Sequence, residues 1–373
     1  MHRAKAVSPP KSPSLDQLRR YAIGRTLFSS TSLPRAISLL GFLQADPMRA
    51  PARAQDLILA YRVKNYRVGD LERRYPRLAV EEAFFINYGF LPRSSLSLIH
   101  PRGGPRTWDT WNASMQARAE DVLAFVRQQG PTHAKSVQAR FDHGRIKRWG
   151  ANLNASTHLL EGLHYRGLLR VARRDSGTRV YEAIEHPPHD DSPKARLARA
   201  SQLLDVVVRL YAPLPASSLV YLCRLLCYGI PHLATEFRNL HERAKSRFSY
   251  TQVDGKLWFW PQDENPAAVR YSVDDRLRFL APFDPVAWDR RRFQLFWGWE
   301  YKFEAYLPAH KRRMGHYAMP MLWGEHILGW ANLKVVDGRL KHELGFTGPR
   351  PRGKAFQLAL DEALHHMQEF LKL

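Results

Sequence analysis

Two stretches of the chain carry the same order of predicted elements, and this repeat restricts the fold more than any other feature. In each stretch three helical patterns precede two alternating strands joined by a turn that contains glycine. The first stretch covers residues 119–185 and the second covers residues 194–262. Three helices and a hairpin form the winged helix, a variant of the helix-turn-helix. The sequence therefore predicts two winged helices in tandem.

Different patterns flank this repeat. Residues 1–13 are rich in basic residues and proline and are predicted to form a flexible tail, whereas residues 14–118 open with a capping box at Ser14 and predict a helical, winged-helix-like domain. Residues 270–373 alternate as strands before a final amphipathic helix. The predicted fold class is α+β, with tandem winged helices followed by a small β-rich C-terminal domain that one helix covers.

The chain is strongly basic. Its 373 residues include 57 Lys and Arg against 35 Asp and Glu, a formal net charge of +22. Such a surplus indicates a polyanionic partner, with nucleic acid favoured over an anionic membrane surface. The longest apolar stretches fall short of the ~20 residues that span a bilayer, and the N-terminal residues lack a secretory pattern. We expect a monomeric cytoplasmic protein that does not enter a membrane.

No feature of the sequence predicts a metal or a cofactor. Cys223 and Cys227 are the only two cysteines, and they lie four residues apart in an apolar helical stretch. Without histidine or cysteine partners nearby this spacing predicts buried thiols and no zinc site. No glycine-rich phosphate loop or dinucleotide fingerprint is present, so nucleotide-driven chemistry is not expected.

Gln44 and Asp46 are the side chains best suited to chemistry. Asp46 precedes Pro47, and a residue before proline favours extended geometry, in which side chains two positions apart point to the same side. We therefore expect both to face one pocket, where a carboxylate stabilises a developing cation and an amide orients water through donor and acceptor. The alternative is structural: Asp46 caps a helix that Pro47 opens, and Gln44 is exposed.

Several segments resemble one family of enzymes. The segment from Leu40 to Asp46 places Gln-x-Asp after an apolar helix, and further segments follow in one order. They include Gly89-Phe90-Leu91-Pro92-Arg93, Ala281-Pro282-Phe283-Asp284-Pro285-Val286-Ala287-Trp288-Asp289 and Tyr306-Leu307-Pro308-Ala309-His310-Lys311. Together they resemble the bacterial crosslink-repair and alkylpurine DNA glycosylases of the YcaQ type. The architecture that this resemblance implies is the one that the residue pattern predicts.

The resemblance also implies an activity. It points to a monofunctional DNA glycosylase of base excision repair that hydrolyses the N-glycosidic bond of alkylated purines in double-stranded DNA. N7-alkylguanine is the expected lesion, and interstrand crosslinks are a further candidate. Asp46 would stabilise the sugar cation and activate water, and Gln44 would orient that water. One segment departs from the family, because its usual His-Glu pair is replaced by Ile86 and Asn87.

Clusters of positive charge are the expected contacts to DNA phosphates. Two of the residues, Arg53 and Arg93, lie in or beside the resembling segments, and the rest form basic runs. The predicted DNA-binding residues are Arg53, Arg93, Arg145, Lys147, Arg148, Arg290, Arg291, Arg292, Lys311, Arg312 and Arg313. The alternative is a solvated face, or arginines paired with Asp284 and Asp289.

A second function fits the same helices and charge. A non-enzymatic winged-helix regulator would also bind DNA, and in it Asp46 would serve only as a helix cap. The Gln-x-Asp segment and the β-rich domain favour the enzyme, because a simple repressor needs neither. Strand breakage after heat or alkali at a damaged base separates the two.

Overall fold

The computed structural model describes residues 12–102, 111–141, 144–148, 151–188 and 190–373. Most of the predicted N-terminal tail therefore lies outside the described residues. Within the described ranges no helix is long and apolar enough to cross a bilayer.

The N-terminal part combines short helices with a small sheet. Its elements are α1 (Leu15–Thr26), α2 (Leu33–Leu40), β1 (Leu43–Gln44), α3 (Ala54–Ala60), α4 (Asp70–Arg74), β2 (Val80–Phe84), β3 (Tyr88–Pro92) and α5 (Arg93–Ile99). The capping box is confirmed, because the Ser14 hydroxyl accepts from the Gln17 N–H and the Gln17 side chain accepts from the Ser14 N–H. Antiparallel pairing gives the order β1-β3-β2.

The second part holds the first predicted repeat. Its elements are α6 (Ala113–Gln129), β4 (Thr132–His133), α7 (Ala134–Phe141), β5 (Arg145–Arg148), β6 (Ala151–Asn154), α8 (Ala155–Tyr165), β7 (Leu169–Asp175) and β8 (Thr178–Ala183). Strand β4 joins the hairpin at β8, which gives a sheet of order β4-β8-β7. The hairpin β5–β6, between the second and third helices, is an addition that the sequence patterns did not predict.

The third part repeats the helices, the two-residue strand and the final hairpin of the second part, with two short helices in place of the inserted hairpin. Its elements are α9 (Pro193–Tyr211), β9 (Leu214–Pro215), α10 (Ala216–Gly229), α11 (Ala234–Arg238), α12 (Ala244–Arg247), β10 (Ser249–Val253) and β11 (Lys256–Trp260). As in the preceding part, a two-residue strand before the second helix pairs with the last strand, giving the order β10-β11-β9. Both parts thus have the order of elements of a winged helix.

The C-terminal part is a four-stranded antiparallel sheet with helices. Its elements are β12 (Leu277–Phe279), α13 (Pro285–Trp288), α14 (Arg290–Trp297), β13 (Met319–Trp323), β14 (His326–Val336), β15 (Arg339–Phe346) and α15 (Lys354–Leu371). The strand order is β12-β13-β14-β15. Asp337 and Gly338 both have positive φ at the β14–β15 turn, as a two-residue type I′ turn requires. Helix α15 buries a stripe spaced by three and four residues: Phe356, Leu360, Ala363, Met367 and Phe370.

A buried ion pair joins the first part to the last. The Arg62 guanidinium donates to both oxygens of Asp284, at 2.8 and 3.0 Å, and its side chain is fully buried. It also donates to the carbonyl oxygens of Thr26 and Ile58, each at 2.7 Å. Removing one partner would leave the other charge buried and unpaired, which is strongly destabilising. Asp284 therefore anchors the fold and does not pair with the basic run beside it.

The predicted fold class is confirmed: helices combine with small antiparallel sheets in an α+β arrangement. The division into domains at the predicted boundaries stays a prediction.

Candidate active site

A cavity of about 590 Å³ opens where three parts of the chain meet, and we name it the Gln44–Asp46 cavity. The N-terminal part supplies the segment around Gln44 and Asp46, the hairpin β7–β8 supplies Arg174 and Arg179, and the C-terminal part supplies aromatic rings. The structure thus brings the two predicted catalytic residues into one cavity.

Gln44 is positioned by its strand and by an indole. Strand β1 pairs with β3 opposite Gly89, where an added Cβ would lie 2.4 Å from the Leu43 carbonyl oxygen, so this close approach requires glycine. Trp288 Nε1 donates to Gln44 Oε1 at 2.9 Å. Because an indole N–H can only donate, the amide oxygen must face Trp288. The amide Nε2 remains as the donor of this side chain, and the predicted role of Gln44 in orienting water stays a prediction.

Asp46 lies just beyond the end of β1 and is only 7% exposed. Its Oδ1 accepts from the Met48 N–H at 2.8 Å, and its own N–H donates to Gln55 Oε1 at 3.3 Å. Burial raises the pKa of Asp46, and the Met48 hydrogen bond lowers it by less. Pro47 opens no helix, since the next helix begins at Ala54, so the alternative of a helix cap is wrong.

Arg53, Arg174 and Arg179 line the Gln44–Asp46 cavity, and among the described residues they form ion pairs with carboxylates other than Asp46. Arg174 donates to Glu82 Oε1 at 2.7 Å, Arg179 lies 3.6 Å from Glu82, and the Tyr88 hydroxyl donates to Glu82 at 2.6 Å. Burial raises the pKa of Glu82, but Arg174, Arg179 and Tyr88 together lower it below its usual range. Glu82 therefore stays ionised and holds the hairpin β7–β8 at the cavity.

The tip of this hairpin touches the N-terminal part directly. The Gly177 N–H donates to Glu72 Oε1 at 3.0 Å, and Arg53 donates to Glu72 Oε2 at 2.9 Å. Gly177 has φ +85°, and an added Cβ would lie 2.9 Å from Arg53 Nη2. A larger residue at this tip would be strained and would crowd Arg53.

Aromatic side chains form the opposite wall. Phe283 and Phe303 meet edge to face with ring centroids 5.1 Å apart, and Tyr306 packs on Phe303 at 5.9 Å. Tyr306 is 80% exposed, which is unusual for a ring that contacts other rings. Sequence reasoning did not select these residues as site residues, although Phe283 and Tyr306 lie in the resembling segments.

Two comparisons with known proteins identify the family and the fold of this chain. The family model of AlkZ-like DNA glycosylases matches residues 37–370. The chain belongs to the AlkZ-like DNA glycosylase family. The solved structure of the Streptomyces sahachiroi DNA glycosylase AlkZ is similar, with a TM-score of 0.62, 15% sequence identity and coverage of 96% of each chain. At this identity the structural likeness shows the shared fold, and the family match identifies the activity.

The predicted family and enzyme class are thereby confirmed, and the alternative of a non-enzymatic regulator is set aside. In this AlkZ-like glycosylase the departure from the expected His-Glu pair falls beside the candidate site. Ile86 is buried, whereas Asn87 lines the Gln44–Asp46 cavity. An uncharged amide thus occupies a position where the resemblance implies a carboxylate.

The predicted phosphate-binding residues of the first two parts differ in their exposure and in their partners. Arg53 lines the cavity, and Arg93 pairs with buried Glu81 at 2.8 Å while its own side chain is 54% exposed. Arg145 is exposed on β5. Lys147 and Arg148 lie on the same strand, but their side chains fall outside the described residues.

The run Arg290 to Arg292 is mainly structural. Arg292 is fully buried, and its guanidinium donates to the carbonyl oxygens of Tyr211, Pro285 and Val286, so its predicted contact with phosphate is wrong. Arg290 donates to the Pro282 carbonyl oxygen at 2.9 Å and packs over the Tyr301 ring. Arg291 alone is exposed. Asp289 caps α14 by accepting from the backbone N–H groups of Arg291 and Arg292.

The run Lys311 to Arg313 faces solvent more fully. Lys311 and Arg313 are exposed, whereas Arg312 folds back to donate to the Leu307 carbonyl oxygen at 2.8 Å. This run follows Tyr306, which lines the cavity, by only a few residues. Lys311 and Arg313 therefore remain the best-placed predicted phosphate contacts of the C-terminal part.

Proposed function

We propose that this glycosylase excises alkylated purines, N7-alkylguanine above all, from double-stranded DNA by hydrolysing the N-glycosidic bond. The observation that carries the proposal is the pairing of a buried carboxylate, Asp46, with an oriented amide, Gln44, in one cavity beside arginines. Polyanionic DNA fits the +22 charge of the chain.

The positive charge of an alkylated purine explains why the proposed reaction needs only a carboxylate and an amide from the protein. Alkylation at N7 places a positive charge on the purine, so the base can leave as a neutral molecule without a general acid. The deoxyribose then becomes oxocarbenium-like, as in other glycoside cleavages. The chemical demand on the protein is a negative charge near that cation and a water molecule to capture it.

Asp46 meets the first demand. A carboxylate about 4 Å from a cation is worth roughly 4 kcal/mol at an effective dielectric constant of ~20. That interaction corresponds to about a thousandfold in rate before desolvation losses. The Met48 N–H occupies Oδ1, so Oδ2 is the oxygen that we assign to the sugar cation and to the attacking water.

Gln44 meets the second demand. With its oxygen facing Trp288, its Nε2 donates a hydrogen bond to the water oxygen. The same water donates one hydrogen to Asp46 and keeps a lone pair for the anomeric carbon. No lysine lines the described part of the cavity, which supports direct hydrolysis in place of a Schiff-base intermediate.

The decisive experiment uses a duplex with one N7-methylguanine. After incubation with the protein, heat or alkali breaks the strand wherever a base has been removed. We expect breakage at the lesion well above that in the same damaged duplex treated without protein, because N7-methylguanine also depurinates spontaneously on heating, and none in the undamaged duplex. Equal breakage with and without saturating protein would contradict the proposal, and a crosslinked duplex in the same assay tests interstrand crosslinks as a second substrate.

A further inference from the structure

An exposed apolar tip lies at the edge of the Gln44–Asp46 cavity. Tyr306 lines the cavity and is 80% exposed, Leu307 beside it is 41% exposed, and Pro308 is exposed as well. Contiguous exposed apolar side chains are typical of interaction sites, whereas single ones are ordinary. The tip belongs to residues 304–314, which lie between α14 and β13 and which we name the 304–314 loop.

Hydrogen bonds hold this loop in one shape. The buried Glu304 carboxylate accepts from the backbone N–H groups of Arg313 and Met314, each at 2.8 Å. The Leu307 N–H donates to the Glu304 carbonyl oxygen at 2.9 Å, and Arg312 donates to the Leu307 carbonyl oxygen at 2.8 Å. A tip that is already ordered loses little conformational entropy when it binds.

The Tyr306 ring is fixed by neighbouring rings. It meets Phe303 edge to face at 5.9 Å, and Phe303 meets Phe283 and Tyr317 in the same way, at 5.1 and 5.5 Å. Phe283 and Phe303 also line the cavity but are half-buried, so exposure increases along this series of rings toward Tyr306. Most of the Tyr306 surface is therefore available for contact with a partner.

The charges of the loop indicate the chemistry of that partner. Lys311 and Arg313 are exposed in the same loop, whereas its one acidic side chain, Glu304, is buried. A duplex has an apolar base stack inside two rows of anionic phosphates. An aromatic tip next to exposed cations is complementary to both.

The carboxylate at the site is less accessible than the tip. Asp46 is only 7% exposed, and the nucleotide that it must reach is enclosed in the duplex by its neighbours. Enzymes that act on a base in a duplex displace the nucleotide from the stack, which leaves a gap. An apolar side chain inserted between base steps can stabilise such a distorted duplex.

We propose that Tyr306 inserts into the base stack at the lesion and stacks on the bases that flank the displaced nucleotide. The inference rests on the proposed function, because it requires the sugar of the lesion to lie beside Asp46. With the ring in the gap, the nucleotide stays displaced while its glycosidic bond is hydrolysed. Tyr306 is thus a positioning residue and takes no part in the chemical step.

The test compares two duplexes of one sequence, an intact duplex and one with a tetrahydrofuran residue in place of a single nucleotide. The tetrahydrofuran residue has no base, so the gap is already present and binding is titrated independently of excision. We expect the unmodified protein to bind the gapped duplex about five- to fiftyfold more tightly, because the ring stacks there without displacing a base. Tyr306→Ala should bring this preference close to one.

Two control variants separate stacking from a structural role. Tyr306→Phe keeps the ring and should keep the preference for the gapped duplex. Tyr250→Ala removes a tyrosine on β10 that is 49% exposed and should leave both affinities unchanged. The thermal unfolding of Tyr306→Ala should match that of the unmodified protein, because the lost side chain is mostly in solvent.

Three results would overturn the inference. The first is equal binding of both duplexes by the unmodified protein, and the second is an equal loss of both affinities in Tyr306→Ala. The third is a loss in Tyr306→Ala that is confined to a duplex with N7-methylguanine, which would show that the ring stacks on the modified base inside the cavity. A preserved preference for the gap without excision of N7-methylguanine would instead count against the proposed function alone.

Discussion

Two buried carboxylates at the candidate site have pKa values that shift in opposite directions: Asp46 lines the Gln44–Asp46 cavity, and Glu82 binds arginines that line it. Asp46 has a single backbone hydrogen bond to one oxygen, and burial raises its pKa. Glu82 is buried as well, but hydrogen bonds from Arg174 and Tyr88 and the charge of Arg179 lower its pKa. A buried carboxylate with few hydrogen bonds is suited to bind a positive charge that arrives with a substrate. A carboxylate that is fully paired stabilises the fold instead.

The role of Asp46 is tested by Asp46→Asn. We expect single-turnover excision of N7-methylguanine to fall by about two to three orders of magnitude, because the amide keeps the shape and loses the charge. Gln44→Ala should cost less, about ten- to a hundredfold. Duplex affinity should stay the same in both variants, because many phosphate contacts contribute to it. Unchanged excision in Asp46→Asn would remove Asp46 from the mechanism.

The pH dependence of excision follows from the raised pKa of Asp46. Only the ionised carboxylate stabilises the sugar cation, so excision should fall as pH decreases through that pKa, at a higher pH than the ~3.9 of an ordinary aspartate. Single-turnover rates from about pH 4 to about pH 8 measure this acidic limb of the pH–rate profile. Asp46→Asn should lack it, and a limb that persists in that variant would assign the titration to another group.

The orientation of Gln44 is tested by Trp288→Phe. The indole N–H is lost while the ring can still stack on Tyr211, so the amide is free to flip and excision should fall about tenfold. Trp297→Phe is the matched control, since its indole donates at 2.8 Å to the Glu325 carbonyl oxygen away from the cavity. The double variant Gln44→Ala/Trp288→Phe should be no slower than Gln44→Ala alone. Additive losses would show that Trp288 acts by another route.

At the scale of elements, the hairpin β7–β8 has a double function. Its strands complete the sheet of the second part, and its far end brings Arg174, Gly177 and Arg179 to the Gln44–Asp46 cavity. Glu82 on β2 helps to hold it there through two arginines on two strands, together with the Gly177–Glu72 hydrogen bond and the Arg170–Glu81 ion pair. The position of this element therefore depends in part on one buried carboxylate.

Glu82→Gln should accordingly destabilise the protein by about 3–5 kcal/mol, because it leaves the Arg174 guanidinium near the interior without a countercharge and leaves Arg179 with only the partly exposed Glu161. Glu161→Gln removes a 46% exposed partner of Arg179 and should cost less than about 1 kcal/mol. Because the pKa of Glu82 is lowered in the fold, its stabilisation is present above the ordinary glutamate pKa of ~4.3 and is lost only in stronger acid. Denaturant titrations of both variants near neutral pH measure the difference, and equal stabilities would contradict it.

Elements that carry a local sequence motif, such as a capping box or an Asp-Gly turn, could be predicted from the sequence. The capping box fixed the start of α1, and Asp-Gly pairs at 254–255 and 337–338 located two hairpins, since these turns require positive φ. The two-residue strand β1 was not predicted, because its pairing with β3 depends on residues far along the chain. The hairpin β5–β6 was not recognised either: it interrupts the three-helix pattern at 145–154.

The site was predictable only where its residues are neighbours in sequence. Gln44 and Asp46 are two positions apart, so extended geometry was enough to place them together. Trp288 is 244 residues from Gln44, and no local pattern relates them. Arg292 was assigned to phosphate because it belongs to a basic run. In helix α14, however, successive residues point in different directions, and Arg292 points into the core.

At the scale of the whole molecule, some of the positive side chains hold the fold together and others face solvent. Several arginines, among them Arg62 and Arg292, donate hydrogen bonds to carboxylate or carbonyl oxygens inside the protein. Exposed cations such as Lys311 and Arg313 remain for DNA. The formal charge of +22 therefore overstates the number of phosphate contacts.

Salt dependence of duplex binding measures those contacts. Each phosphate contact contributes about −0.9 to the slope of log affinity against log salt concentration. The double variant Lys311→Ala/Arg313→Ala should flatten the slope by about one to two units. The charge-matched control Arg352→Ala/Lys354→Ala removes two exposed cations at the start of α15 and should leave the slope unchanged. Equal slopes in both variants would exclude this basic run from the DNA interface.

The span between Gln44 and Trp288 has a consequence for the chain during its synthesis. At ~5–20 residues per second, roughly 10 to 50 s pass between translation of the first residue and translation of the second. Contacts at such separation also form late in folding, because long loops must close first. Until then the growing chain carries Asp46 but no assembled cavity around it. The Gln44–Asp46 cavity thus assembles only after Trp288 and Tyr306 have been translated, so a shorter nascent chain lacks the proposed hydrolytic site.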